Sequence, residues 1–125
     1  MNEKKAKKII IVEDDPFIAD IYLVELENNG YDVEITKDGQ EALEKIKNQK
    51  FDLMLLDILM PQKDGFAVLN EIKANPNLDL EVIVLTNLAG DDYIKKAMDL
   101  GAKDYIVKTQ FTPKEVLRKI KEILK

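Results

Sequence analysis

Four polar groups in this 125-residue chain carry the side chains that phosphoryl chemistry on a carboxylate would use. They are the acid cluster Glu13-Asp14-Asp15, the lone Asp57, the pair Thr86-Asn87 and the pair Lys108-Thr109, each directly after an apolar run. Carboxylates from two segments can share a hard cation such as Mg²⁺, which prefers oxygen ligands and keeps several waters plus a phosphate oxygen. Without such a cation the like charges repel, and one pKa is pushed up. A lysine ammonium nearby offsets part of that charge and holds a phosphate oxygen as a point charge. Phosphoryl transfer is catalysed mainly by positioning and charge neutralisation, so few residues suffice.

Composition narrows the chemistry further. The chain has no cysteine and no histidine, which removes disulfides, thiolate chemistry, soft zinc-type sites and any histidine acid or base. Its 24 acidic and 19 basic residues are interspersed and give a net charge of −5, which argues against a direct nucleic-acid partner. The start, Met1 to Lys8, is basic, but the apolar run after it is only Ile9 to Val12, too short for a signal segment. No stretch approaches the roughly 20 apolar residues of a membrane helix, so no membrane contact and a cytoplasmic location are expected.

Elements that could bring the four groups together are visible in the hydropathy pattern. Short β-branched or leucine-rich runs at Lys8–Glu13, Asp32–Thr36, Asp52–Asp57, Glu81–Thr86 and Lys103–Val107 alternate with longer segments of helical spacing. Most runs are apolar throughout, the pattern of strands buried on both faces. Asp15-Pro16 opens the first helix and Asn29-Gly30 stops it; Gly101 ends the fourth. Asp38 with Glu41, and Thr112-Pro113 with Glu115, read as capping boxes for the second and fifth helices. Strict alternation implies a single α/β domain over residues 1–125, a doubly wound five-stranded parallel sheet with five helices on both faces. In such a sheet ligands bind outside the carboxyl ends of the strands, where all four polar groups fall.

Some acids have plainer readings. Asp15, followed by Pro16, is better explained as a helix cap than as a metal ligand. Asp64-Gly65 reads as a turn and helix start.

The whole pattern resembles the receiver domains of response regulators. The resemblance rests on the acidic pair Glu13-Asp14, the apolar strand ending at Asp57 with Met60-Pro61 and Asp64-Gly65 after it, Thr86 and Lys108. Intervals of 43 residues from Asp14 to Asp57, 29 to Thr86 and 22 to Lys108 match as well, over essentially the whole chain. The resemblance implies strand order 2-1-3-4-5 and a signalling role rather than an enzymatic one. It makes Asp57 the phosphoacceptor, Glu13, Asp14, Asp57 and the Leu59 carbonyl the ligands of Mg²⁺ or Mn²⁺, and Thr86 and Lys108 the partners of the phosphoryl group. Thr86 and Tyr105 would form the switch.

A sensor histidine kinase or phosphotransfer protein is the implied donor. The implied output is a downstream protein target reached through the face of the fourth helix, fifth strand and fifth helix. The resemblance also leaves room for a phosphorylation-dependent homodimer. With no DNA-binding or enzymatic module after the fifth helix, signalling is expected to pass through surface contacts.

Two departures from the family pattern matter. Thr109 stands where receivers commonly have proline after the lysine, and a trans Lys108–Thr109 bond is expected because a cis bond before a non-proline costs about 2.5–4 kcal/mol. Leu59 and Leu88 are apolar where polar residues could orient water, so a long-lived phosphoryl-aspartate is expected. Three other functions compete. A receiver-like binding module working without phosphorylation is opposed by the intact set of five polar residues. An aspartate-nucleophile phosphatase would need an acid at Leu59, and a flavodoxin-like cofactor carrier would need a glycine- or hydroxyl-rich loop after the first strand.

Overall fold

The computed structural model describes residues 6–125; most of the basic start of the chain, residues 1–5, lies outside them. The elements run β1 (Lys8–Val12), α1 (Pro16–Glu27), β2 (Asp32–Thr36), α2 (Gly39–Asn48), β3 (Leu53–Leu56), α3 (Gly65–Ala74), β4 (Glu81–Thr86), α4 (Asp91–Asp99), β5 (Asp104–Val107) and α5 (Pro113–Ile123). All strands are parallel, in the order β2-β1-β3-β4-β5. That is the doubly wound sheet expected from the alternation of runs and helices, in the strand order that the resemblance implies.

Alternation along each strand splits the core in two. Ile9, Ile11, Leu53, Leu55, Ile83 and Leu85 meet α1 and α5 through Ala19, Tyr22, Leu26, Val116, Leu117 and Ile120. Their neighbours Ile10, Val12, Met54, Leu56, Val82 and Val84 meet α2, α3 and α4 through Ala42, Leu43, Ile46, Val68, Leu69 and Ala97. Burial on both faces explains why these strands are apolar throughout rather than alternating. Truncating any of the fully buried leucines to alanine costs about 2–5 kcal/mol.

The strand limits are slightly tighter than the sequence runs suggest. Glu13 and Asp57 lie one residue past β1 and β3, and Asp52 and Lys103 one residue before β3 and β5. Their amides still continue the ladder, with Glu13 N–H donating to the Thr36 carbonyl and Asp57 N–H to the Val12 carbonyl, both at 3.0 Å. The acids are therefore fixed by the sheet while their side chains stand clear of it.

Most end signals act as read. Asp15 Oδ1 accepts the Phe17 amide at 2.9 Å and the Ile18 amide at 3.4 Å, capping α1. Gly30 takes a positive φ of 88° just after that helix, the left-handed geometry glycine adopts at least cost. Thr112 and Glu115 form the full reciprocal box at α5. At α2 only half of the expected box is formed: Asp38 Oδ1 accepts the Glu41 amide at 2.8 Å, with no return bond from the Glu41 side chain. A carboxylate at the cap repels a second carboxylate in the same turn, unlike the hydroxyl of the usual box.

Candidate phosphoacceptor site

Strand parity decides which side of the sheet each polar residue joins. Glu13, Asp57 and Lys108 continue the register of the α1/α5 face, whereas Thr86 and Tyr105 continue that of the α2–α4 face. The first three meet at the carboxyl edge. Lys108 Nζ donates to Asp57 Oδ2 at 3.1 Å and to Glu13 Oε1. All three side chains are 10% exposed or less, so the ion pairs sit in a medium where charge interactions are strong.

Each carboxylate oxygen of this pair of acids has a defined donor. Asp57 Oδ1 accepts the Leu59 amide at 3.1 Å, and Glu13 Oε2 accepts the Asp15 amide at 3.1 Å. Burial pushes the Glu13 carboxyl above its usual pKa, and the Asp57 charge adds to this against the opposing pull of Lys108 and the Asp15 amide. Burial opposes the Lys108 charge too, but two facing acids more than offset it and hold the ammonium above its usual pKa. One lysine shared between two acids thus leaves the site short of positive charge.

Asp14, beside them, is exposed. One carboxylate oxygen from each of Glu13, Asp14 and Asp57 lies within 4.8 Å of the other two. Three hard oxygen donors with an open side fit a cation that keeps part of its water shell. Asp15 is excluded from this set because its carboxylate is spent on the α1 amides.

The chain after Asp57 is held close by a glycine. A Cβ on Gly65 would stand 2.6 Å from the Asp57 carbonyl oxygen and 2.8 Å from Ile58 Cα, so only glycine lets α3 start there. The Gly65 amide donates to the Ile58 carbonyl at 3.0 Å, and Asp64 Oδ1 caps Ala67 N–H at 2.9 Å. Asp64-Gly65 is a helix start, as its sequence suggests, and it also fixes the back of the acid pocket.

Thr86 and Tyr105 are joined through the backbone of one residue, Leu88. The Leu88 amide donates to Thr86 Oγ1 at 3.3 Å, and the Tyr105 hydroxyl donates to the Leu88 carbonyl. Thr86 is fully buried and Tyr105 half-buried, its phenol pushed above the usual pKa by burial and then by the Asp57 charge. Leu59 is 56% exposed, on the rim rather than under it. The Lys108–Thr109 bond is trans, as expected, since the described residues contain no cis peptide.

Two features were not read from the sequence. Lys108–Gln110 forms a single 3₁₀ turn, for which no cap signals it. Tyr22 of α1 is buried close enough to feel the charges of Lys108 and Glu13, a placement that only tertiary packing produces.

An acid-and-lysine pocket at the carboxyl edge of a 2-1-3-4-5 parallel sheet defines a class: flavodoxin-like domains whose strand ends serve charge rather than a cofactor ring. The chain belongs to the response regulator receiver domain family, whose model matches residues 9–121. It is a receiver domain of two-component signalling, a signalling module rather than a classical enzyme. It is 38% identical over 121 residues to the alkaline phosphatase synthesis transcriptional regulatory protein PhoP of Bacillus subtilis, covering 95% of this chain and 49% of that protein. The chain spans about half the length of the curated relatives it matches. Among solved structures, it is similar to the BeF3-activated N-terminal receiver domain of RstA from Klebsiella pneumoniae, with TM-score 0.88, 33% identity and coverage of 95% and 99% of the two chains. It is likewise similar to a CheY-like receiver domain protein from Methanospirillum hungatei, with TM-score 0.85, 37% identity and coverage of 94% and 92%. Among the described residues, no helix is long and apolar enough to cross a membrane.

Proposed function

We propose that Asp57 accepts a phosphoryl group from a phosphohistidine on a sensor kinase or phosphotransfer protein. A carboxylate oxygen of Asp57 bonds to phosphorus as the phosphorus–nitrogen bond of the donor breaks, and the imidazole leaves with the electron pair. The observation that carries this reading is the shortage of positive charge around two buried acids sharing one lysine.

Glu13, Asp14, Asp57 and the Leu59 carbonyl would hold Mg²⁺ or Mn²⁺, which supplies the missing charge and binds a phosphoryl oxygen. Lys108, already aimed between both acids, would hold a second oxygen. The Thr86 hydroxyl accepts from the Leu88 amide and keeps its own proton to donate to a third. Movement of Thr86 toward the phosphoryl group would draw on Leu88, whose carbonyl carries Tyr105, and so bias the face of α4, β5 and α5 between two populations. Apolar Leu59 and Leu88 near the pocket offer no side chain to orient water, which supports a long-lived phosphoryl-aspartate.

Incubation with Mg²⁺ and acetyl phosphate followed by intact mass tests the reading. One phosphoryl group is expected on the chain and none on Asp57→Asn. No gain in mass, or a gain that survives the substitution, leaves a binding module in its place. Leu59→Asn is expected to shorten the lifetime of the modified form; an unchanged decay removes the role of the apolar rim.

A further inference from the structure

Helix α5 carries two polar sides of different charge. On one, Glu115, Lys119 and Glu122 stand at four- and three-residue spacing with alternating sign, and Lys119 Nζ pairs with Asp104 Oδ2 of β5 at 3.3 Å. On the side facing α1, Lys114, Arg118 and Lys121 take the same spacing with a single sign, and all three are exposed. None of them forms an ion pair among the described residues; Lys121 Nζ reaches only the Asn29 side-chain oxygen, at 3.2 Å. Glu115, the acid closest to Arg118 along the chain, is held on the Thr112 amide instead, at 2.9 Å. Cations three and four apart on a helix repel one another, so this row is unanswered charge rather than a support for α5.

The row lines a groove of about 240 Å³ between α1 and α5, with buried Leu117 beneath it and Glu25 and Asn29 on the α1 side. Glu25 is the one acid of the lining, so three cations face a single carboxylate in a chain whose net charge is −5. The volume is below the roughly 300–1,000 Å³ of pockets that enclose a drug-sized molecule, which restricts the ligand to a small anion. Lys114 and Lys121 lie two turns apart, about 10 Å along the axis, so one compact anion cannot meet all three cations but a row of charged groups can. A guanidinium presents paired donors that match two oxygens of a phosphoryl group, and ammonium groups hold phosphate as point charges.

We infer that the groove between α1 and α5 binds a linear oligophosphate, with Arg118 on one phosphoryl group and Lys114 and Lys121 on its neighbours. Phosphoryl groups linked through single oxygens carry a charge each within a short length. The carboxylates of an acidic peptide are held apart by a backbone for which the groove has no room. An inorganic polyphosphate chain and the phosphate tail of a nucleotide present this same chemistry. Binding forms no covalent bond, and the groove shares no residue with the acid pocket, so the inference does not depend on phosphorylation of Asp57.

Isothermal titration calorimetry of the full chain with inorganic tripolyphosphate tests the site. A chelator is present and divalent metal is absent, so the acid edge has no cation with which to hold a phosphate. A single binding event is expected, mapped by amide shifts to Lys114–Lys121 and Asn29, with orthophosphate weaker by about tenfold or more. Arg118→Glu is expected to lower the affinity about tenfold or more, and Glu25→Gln to raise it about twofold or more by removing the opposing carboxylate. Lys119→Glu makes the same change in net charge elsewhere on α5 and is expected to leave the affinity within about twofold. Thermal melts confirm that the variants fold. ATP bound at the same residues as tightly as tripolyphosphate names a nucleotide tail as the source, and weaker binding names the inorganic chain. No binding of tripolyphosphate, equal losses in Arg118→Glu and Lys119→Glu, or shifts confined to the acid edge overturns the inference. So does tighter binding of a glutamate-rich peptide or a single-stranded oligonucleotide, which would assign the row to a macromolecule.

Discussion

Two charge clusters sit on this sheet, and their stoichiometries are opposite. On the α2 side, Glu34 is shared by Lys8 at 3.2 Å and Lys45 at 2.6 Å, and Lys8 also lies 5.2 Å from the centre of the Phe51 ring. At the carboxyl edge, Lys108 is shared by Glu13 and Asp57, with Asp14 beside them. Two bases hold Glu34 below the usual carboxylate pKa, chiefly through the Lys45 hydrogen bond, whereas burial and a second acid hold Glu13 above it. The first cluster is complete within the chain. The second is short of a cation, and that difference separates a structural clamp from a site.

The sharpest way to break this contrast is to remove one lysine from each cluster. Lys108→Ala is expected to slow phosphorylation by acetyl phosphate about 100-fold or more, the scale of losing one positioned charge donor, while Lys45→Ala leaves the rate within about twofold. Time courses of intact mass measure both, and equal losses would erase the distinction. Mg²⁺ should then stabilise only through the second cluster. At about a hundredfold excess over its Kd the gain is about 2.7 kcal/mol, seen in denaturant unfolding and absent in Asp14→Asn.

A smaller effect concerns the one buried side-chain polar atom that has no hydrogen-bond partner among the described residues, Thr36 Oγ1. It lies at the end of β2, opposite Val12 in the ladder and next to the acid edge. Thr36→Val keeps the shape and removes an unpaired hydroxyl, so unfolding free energy is expected to rise by about 1 kcal/mol. A loss instead would show that the hydroxyl is satisfied by water.

Glu34→Gln gives the smallest change, a loss of about 0.5–1 kcal/mol at neutral pH for a partly exposed network. The sign follows from the depressed pKa: the stabilisation is present above the unfolded carboxylate range and is lost as pH falls through the folded value. Wild type and variant should therefore converge in acid, and curves that stay parallel would show that the charge does not act.

The sequence made most of the sheet legible because burial on both faces leaves unbroken apolar runs in β1, β3 and β4, and two of the five expected segments, Asp32–Thr36 and Glu81–Thr86, are strands over their whole length. The pocket residues were legible because acids, a hydroxyl and a lysine follow those runs directly. What escaped depends on surroundings. Tyr22 looks like any core aromatic until the fold brings it within reach of the Lys108 and Glu13 charges. The second capping box failed because residue spacing does not register repulsion between Asp38 and Glu41. The exposure of Phe17, Ile21 and Val24 was hidden by the buried side of α1, since a helix apolar on two sides has no clear polar face to read.

Strand parity has a bearing on how such a domain can change by descent. The connections that lead from a helix into the next strand, away from the pocket, can gain or lose residues most readily, because they carry none of its groups. A single-residue insertion within β1, β3 or β5 would exchange the two faces beyond that point, turning an acid or the lysine toward the α2–α4 side and Val12, Leu56 or Val107 into the pocket. Such an indel in these strands is lethal to the site and to the core at once. Lineages carrying this domain should vary in the length of the loops away from the pocket while their strands keep count in twos.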